Sequence, residues 1–182
     1  MSPPLGLYER VLGAKYAQLP IAVQRFHKLR GHAVLHGSVE THAPSSLLAR
    51  LLAYCLGTPR EASRGPLTFE LNAGADVESW TRHFPGQTTT SQLRVVNGQI
   101  EEHLGAARLT FHLAIAGGAL RMELASMRFW GVRCPTWLMP RVVAEESGSA
   151  DELHFKVMAA LPIVGVVASY RGQLQCCSKV TT

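Results

Sequence analysis

The chain has 182 residues, the size of one domain, with 47% hydrophobic and 17% charged residues and a formal net charge of +5. That balance supports a sizeable core and suggests extra apolar surface in the form of a cavity, a lid or a partner face. The basic residues are scattered singly and no nucleic-acid signature is present, which argues against nucleic acid as a partner, and no apolar run approaches the roughly 18–20 residues of a membrane span.

Residues 5–30 read as interrupted helix. Leu7, Val11 and Leu12 recur at helical spacing, as do Ile21, Val23 and Phe26, with Pro20 fitting as the first residue of a second short helix. From His32 to Thr41 the pattern alternates, as in a strand. SLLARLLAYCL then predicts a helix to Leu56, with Ser45 or Ser46 as its cap and Gly57 as its stop. That helix is apolar nearly all round, which favours burial against the rest of the fold over transient membrane contact. GTPREASRG reads as a loop, and strands and turns dominate after Leu67.

Two hairpins can be laid out residue by residue. A two-residue turn at Asn97-Gly98 pairs Val95 with Ile100, Arg94 with Glu101 and Leu93 with Glu102. A turn at Gly117-Gly118 pairs Ile115 with Leu120, Leu113 with Met122, Phe111 with Leu124 and His112 with Glu123. One face of this second hairpin is apolar and the other polar. Further strands are expected at 141–147, from Glu152 to Met158 after a turn at Gly148–Asp151, and from Val164 to Leu174. The order is helix, strand, helix, then six to eight antiparallel strands. So large a meander must close or be covered at its edges. The expected fold is α+β: N-terminal helices (1–30) and a strongly curled antiparallel sheet or barrel (31–175), a calycin- or lipocalin-like cup with a helix inserted between its first two strands. Residues 176–182 read as a flexible tail.

Strand parity places Trp80, Arg82 and Phe84 on one face of ESWTRHF, and Glu102 on the face of Leu93, Val95 and Ile100. An inward arginine and an inward glutamate on neighbouring strands call for pairing. As a functional site they form a polar anchor in an apolar cavity, whose further contacts are Phe111, Met122 and Tyr170; as structure they are a salt bridge. Tyr170 is in phase with Val164, Val166 and Ala168, so its hydroxyl needs a partner. Glu102 and neighbouring His103 are the candidate acid–base groups, His103 only if its strand bulges. His112 opposite Glu123 reads as an ordinary cross-strand pair on a polar face.

His32, His36, Glu40 and His42 share a strand face, but residues four apart on a strand lie about 13 Å apart, too far for one zinc. No metal site and no cofactor is expected. The four cysteines (Cys55, Cys134, Cys176 and Cys177) contain no CxxC pair, and there is no GxSxG elbow and no GxGxxG loop. The opening MSPPLGLYER has neither a basic n-region nor an apolar h-region, so a cytoplasmic setting is expected.

LYERVLG near the start, ESWTRHF in the middle and LPIVGVVASYRGQL at the end together resemble the bacterial family DUF4166, over about Leu5 to Leu174. EEHLG at 101–105 departs from the E-R-F-G type stretch expected there. The resemblance implies a domain that occurs alone or behind a dehydrogenase-like NAD-binding domain, hence a possible dehydrogenase-like partner; it carries no catalytic residues. The expected function is binding of an apolar lipid-, isoprenoid- or polyketide-like small molecule. The alternatives are a cofactor-independent isomerase or cyclase using the same cavity, or an accessory domain docking on the dehydrogenase-like partner.

Overall fold

The computed structural model describes residues 5–149 and 151–176. Helix α1 (Leu7–Leu12), a 3-10 turn (Gly13–Gln18) and α2 (Ile21–His27) precede strand β1 (Gly31–His42) and helix α3 (Leu47–Leu56). The strands that follow are β2 (Ser63–Ala73), β3 (Val77–Phe84), β4 (Gln87–Val96), β5 (Gln99–Leu104), β6 (Ala107–Ala116), β7 (Ala119–Phe129), the two-residue β8 (Val132–Arg133), β9 (Arg141–Ser149), β10 (Glu152–Leu161) and β11 (Gly165–Gln175). They pair antiparallel in the order β6-β5-β4-β3-β2-β1-β11-β10-β9-β7, and β7 returns to β6. The sheet is therefore a closed ten-stranded barrel with β8 appended to β7. Closure removes the two open edges that so long a meander would otherwise expose.

The hairpin registers follow the turn chemistry. Asn97 and Gly98 both hold positive φ (49° and 74°), as do Gly117 and Gly118 (60° and 74°), the geometry that lets a two-residue turn follow the strand twist. Every pair laid out for the two hairpins is present, with one bulge between Thr110 and Phe111. Three boundaries differ from expectation. Pro20 is the residue before α2, not its first, and Ile21 is exposed while Ala22, Val23 and Phe26 are buried. Strand β2 begins at Ser63, inside the expected loop. Gly148 and Ser149 stay in β9, and residue 150 of the expected turn lies outside the described residues, as does the tail beyond Cys176.

The barrel has two unlike ends. The β2–β3, β4–β5, β6–β7 and β9–β10 turns are at one end, which α1 and α2 close. Arg10 of α1 pairs with Asp76 at 3.0 Å and Arg25 of α2 pairs with Asp151, both in turns at that end. Leu7, Tyr8, Val23 and Phe26 carry the plug into the core. At the other end lies α3. Ser46 caps it, accepting from the Ala49 amide at 3.1 Å and donating to the Val164 carbonyl at 2.9 Å, and Gly57 ends it with φ 68°. Its small residues Ala49 and Ala53 are buried against Val167 of β11. Burial stops there. Leu47, Leu48, Leu51 and Tyr54 are exposed, so the expectation of a buried helix is met on one face only.

Candidate functional site

Between the helical plug and α3 the barrel encloses a cavity of about 600 Å³, inside the roughly 300–1,000 Å³ of small-molecule sites. Its wall is apolar: Leu67, Phe84, Leu109, Phe111, Met122, Val142, Phe155 and Val157 come from six strands, and Leu48, Leu52 and Leu56 of α3 roof it. These are the inward members of alternating strands, which is why the lining reads as core in the sequence.

The wall is also incomplete on one side. β7 and β9 pair only from Leu120 to Met122 on β7, near the plugged end. Beyond that β7 pairs with β8 instead, and Cys134, Pro135, Leu138 and Pro140 fill the gap and line the cavity.

Polar groups gather where the cavity meets the plug. Arg82 Nη2 lies 3.7 Å from Glu102 Oε1, and its Nη1 donates to Ser91 Oγ at 3.2 Å. The guanidinium lies over the Trp80 and Phe69 rings, 5.2 and 5.8 Å from their centroids. An arginine between two aromatics is thus accounted for: it is an inward cation, stacked on the rings beside it and paired across the sheet. Glu146 of β9 also faces the cavity, and its Oε2 is 2.7 Å from Nε2 of fully buried His27. Tyr8 stacks on His27 at 3.7 Å between centroids, and its hydroxyl donates to Met122 Sδ at 3.6 Å. Glu78 is buried beside them, accepting from Trp80 Nε1 at 3.2 Å.

Burial pushes the Tyr8 phenol well up, with Glu146, Glu78 and Glu102 adding to it. Burial likewise raises Tyr170, against the Arg82 charge. Both phenols are therefore neutral donors at ordinary pH. Burial raises the Glu78 carboxyl too, opposed by His27, Trp80 and Arg30. Tyr170 stands edge-on to Phe84 at 5.3 Å and to Phe155 at 6.2 Å. Its hydroxyl, expected to need a partner in the core, has no hydrogen-bond partner among the described residues. Chemically the site offers one guanidinium, a phenol and two carboxyl groups at the polar end of an apolar chamber.

The structure thus brings together Trp80, Arg82, Phe84, Glu102, Phe111, Met122 and Tyr170 around one cavity. It separates His103 from them. No bulge interrupts β5, so His103 points outward and meets Glu101 at 3.2 Å, where Arg94 and Arg108 also converge. Burial of Glu101 works to raise its carboxyl, but the Arg94 and His103 hydrogen bonds outweigh it and the net shift is downward. Glu102 thus faces the cavity while His103 faces outward. His112 bonds Gln99 rather than Glu123. His32, His36 and His42 are exposed, and Glu40 is held by Arg171 at 2.8 Å. Among the described residues no group of three or more His, Cys, Asp or Glu is placed to hold a metal ion.

Four titratable residues of the polar cluster escaped the sequence reading: Tyr8, which stands four before Leu12 on its helix, His27, Glu78 and Glu146. Glu78 is in phase with Trp80, Glu146 with Val142 and Ala144, and His27 follows Val23 by four on a helix. Each signal is present, though none by itself distinguishes a buried group from a surface one.

Residues 19–174 match the family described as Domain of unknown function (DUF4166), and the chain belongs to that family. No curated protein matches it. Among solved structures it is similar to the crystal structure of Rv2717c from M. tuberculosis, at 14% identity and a TM-score of 0.45, over 86% of this chain and 98% of that one.

Proposed function

For this member of the DUF4166 family we propose the binding of an apolar small molecule, of lipid, isoprenoid or polyketide type, in a cytoplasmic lipocalin-like cup. The observation that carries the reading is the cavity itself: about 600 Å³, walled mainly by hydrophobic side chains, with its inward charged groups Arg82, Glu102 and Glu146 gathered toward the plug. A ligand with a long apolar body and an oxygen-bearing head matches that division. The body fills the barrel, and the head meets Arg82, Glu102 and the Tyr170 hydroxyl. α3 is the lid in this reading.

A second reading is favoured by His27 and Glu146. A carboxyl group oriented by a buried imidazole and facing an enclosed apolar space is suited to taking a proton from one carbon of a ligand and returning it at another. That is an isomerisation needing no cofactor; if the deprotonated carbon instead attacks a carbonyl carbon of the same ligand and the proton goes to the oxygen that takes up the charge, it is a cyclisation. A role as an accessory domain for a dehydrogenase-like protein rests on the family resemblance alone.

Native mass spectrometry of protein purified gently from its host tests the first reading. The expected spectrum has a bound mass that denaturation releases. A protein that is empty and also ignores fluorescent fatty acids would sink it. Glu102→Gln and Glu146→Gln separate the two readings: a binder keeps its ligand with altered affinity, whereas an enzyme loses turnover and keeps the ligand.

A further inference from the structure

The cavity opens at the α3 end. Leu48, Val132 and Arg133 each line it and are also exposed on the surface. Around this opening stand large hydrophobic side chains that the fold leaves in water: Leu47 (86% exposed), Leu51 and Tyr54 on α3, Trp130 (73%) and Trp137 (70%) beside β8, and Ile163 (98%) in the β10–β11 turn. They come from three separate segments, and barrel closure brings all three to one rim. Trp130 and Ile163 hold positive φ, 47° and 69°, in the turns that present them. A bulky or β-branched residue in that region is uncommon and disfavoured, yet both side chains stand in solvent.

Charge sorts to the same end. The segments there (43–62, 85–86, 105–106, 128–141 and 162–164) hold Arg50, Arg60, Arg128, Arg133 and Arg141 against a single acid, Glu61. That is a net +4 of the chain's +5. All five arginines are exposed, and none pairs with a carboxylate among the described residues. Of the other arginines, Arg10 pairs with Asp76, Arg94 and Arg108 with Glu101, Arg121 with Glu145 and Arg171 with Glu40, and Arg64 of β2 is the barrel arginine that forms no such pair among the described residues. Arg60 instead lies over the Tyr54 ring at 5.2 Å.

From this we infer that the α3 end of the barrel is a docking surface for an anionic lipid bilayer. Exposed Trp and Tyr belong at the headgroup level, Leu and Ile just beneath it, and unpaired Arg against lipid phosphates. The contact is peripheral. No helix among the described residues is long and apolar enough to cross a membrane. The barrel wall carries ion pairs on its outer face and apolar side chains within, the reverse of a membrane-spanning barrel. The surface goes beyond the ligand reading and does not depend on it. A cavity mouth pressed to a bilayer would also give an apolar ligand a route that avoids water.

The test is flotation of the full chain with vesicles of phosphatidylcholine alone or of equal parts phosphatidylcholine and phosphatidylglycerol. Binding to the anionic vesicles is expected to be about tenfold or more the stronger, and to fall as salt is raised. Trp130 and Trp137 should shift their emission to the blue, while Trp80, already buried, should not respond. The double variant Trp130→Ser/Trp137→Ser and the double variant Arg133→Ser/Arg141→Ser touch only exposed positions, so circular dichroism should be unchanged while vesicle binding is lost. No binding to either vesicle overturns the inference. Equal binding to both overturns the headgroup assignment, and self-association through this rim without vesicle binding makes the surface a protein interface instead. An empty cavity with intact vesicle binding would sink the ligand reading and leave this one standing.

Discussion

His27 of α2 puts its Nε2 2.7 Å from Glu146 Oε2 of β9, joining the helical plug to the barrel wall through a contact shut away from water on the imidazole side. The other ring nitrogen, Nδ1, is buried with no hydrogen-bond partner among the described residues. Glu146 therefore depends on His27 more than a surface carboxyl depends on its neighbours. His27→Ala removes that partner, opens a void under Tyr8 and strands the carboxyl group. The expected loss is about 3–5 kcal/mol, the range for removing one partner of a buried pair. Glu146→Gln keeps a group able to hydrogen-bond and should cost roughly 1–2 kcal/mol. Urea unfolding at unchanged slope measures both, and equal small losses would show that the pair carries no structural weight.

Arg82 stabilises by stacking and pairing, and in the ligand reading it also offers charge to a bound head group. Arg82→Lys retains charge but loses the planar contact with Trp80 and Phe69 and the two-ended reach to Ser91 and Glu102. Affinity for a fluorescent fatty acid is expected to drop about tenfold in Arg82→Ala, the equivalent of one charge-assisted hydrogen bond. The matching fatty alcohol should be affected less. Titration of both probes by emission decides the point, and identical losses would make Arg82 a wall residue only.

Arg82 and Glu102 were legible as a pair because two local signals combined. Parity within ESWTRHF fixed the arginine's side, and the Asn97-Gly98 turn fixed the register that put Glu102 opposite buried Leu93. Local chemistry was enough for both hairpins. His27 and Glu146 were not legible because their meeting depends on where α2 docks, a contact across 119 residues of sequence. Glu145 and Glu146 are adjacent, so one had to face inward, and only closure through β7 says which. The α3 leucines failed differently. A helix apolar on all sides does not declare which side is covered, and the covered side proved to be its two alanines with Leu52 and Leu56 beside them.

Glu78 makes stability depend on pH in a stated direction. Burial raises its carboxyl, against His27, the Trp80 hydrogen bond and Arg30. The folded state thus holds this proton more tightly than the unfolded chain does. Its contribution is full below the ordinary glutamate range and is lost as pH rises through the raised value. Glu78→Gln never ionises and keeps an oxygen for Trp80 Nε1. Its melting temperature, compared with that of the parent protein, is expected to improve between about pH 4 and about pH 7. Thermal unfolding at the two pH values checks this, and a difference that does not change with pH would mean that Glu78 is not the titrating group.

Gly105, in the β5–β6 turn, is where α3 is pressed to the barrel. Its φ is 53°, and a Cβ there would run into the Cys55 carbonyl oxygen and lie 2.8 Å from Leu56 backbone atoms. The next residue's amide, Ala106 N, donates to that same carbonyl at 3.0 Å. Gly98 has φ 74° with open space where a Cβ would stand, so it isolates the backbone cost. Gly98→Ala is expected to cost about 1 kcal/mol from the left-handed conformation alone. Gly105→Ala should cost about 2–3 kcal/mol, because the helix must also move. If α3 closes the cavity, the same variant should release a bound fatty-acid probe faster, whereas Gly98→Ala should not. Stopped-flow dissociation measures that rate, and equal release from the two variants would mean that α3 does not gate the barrel.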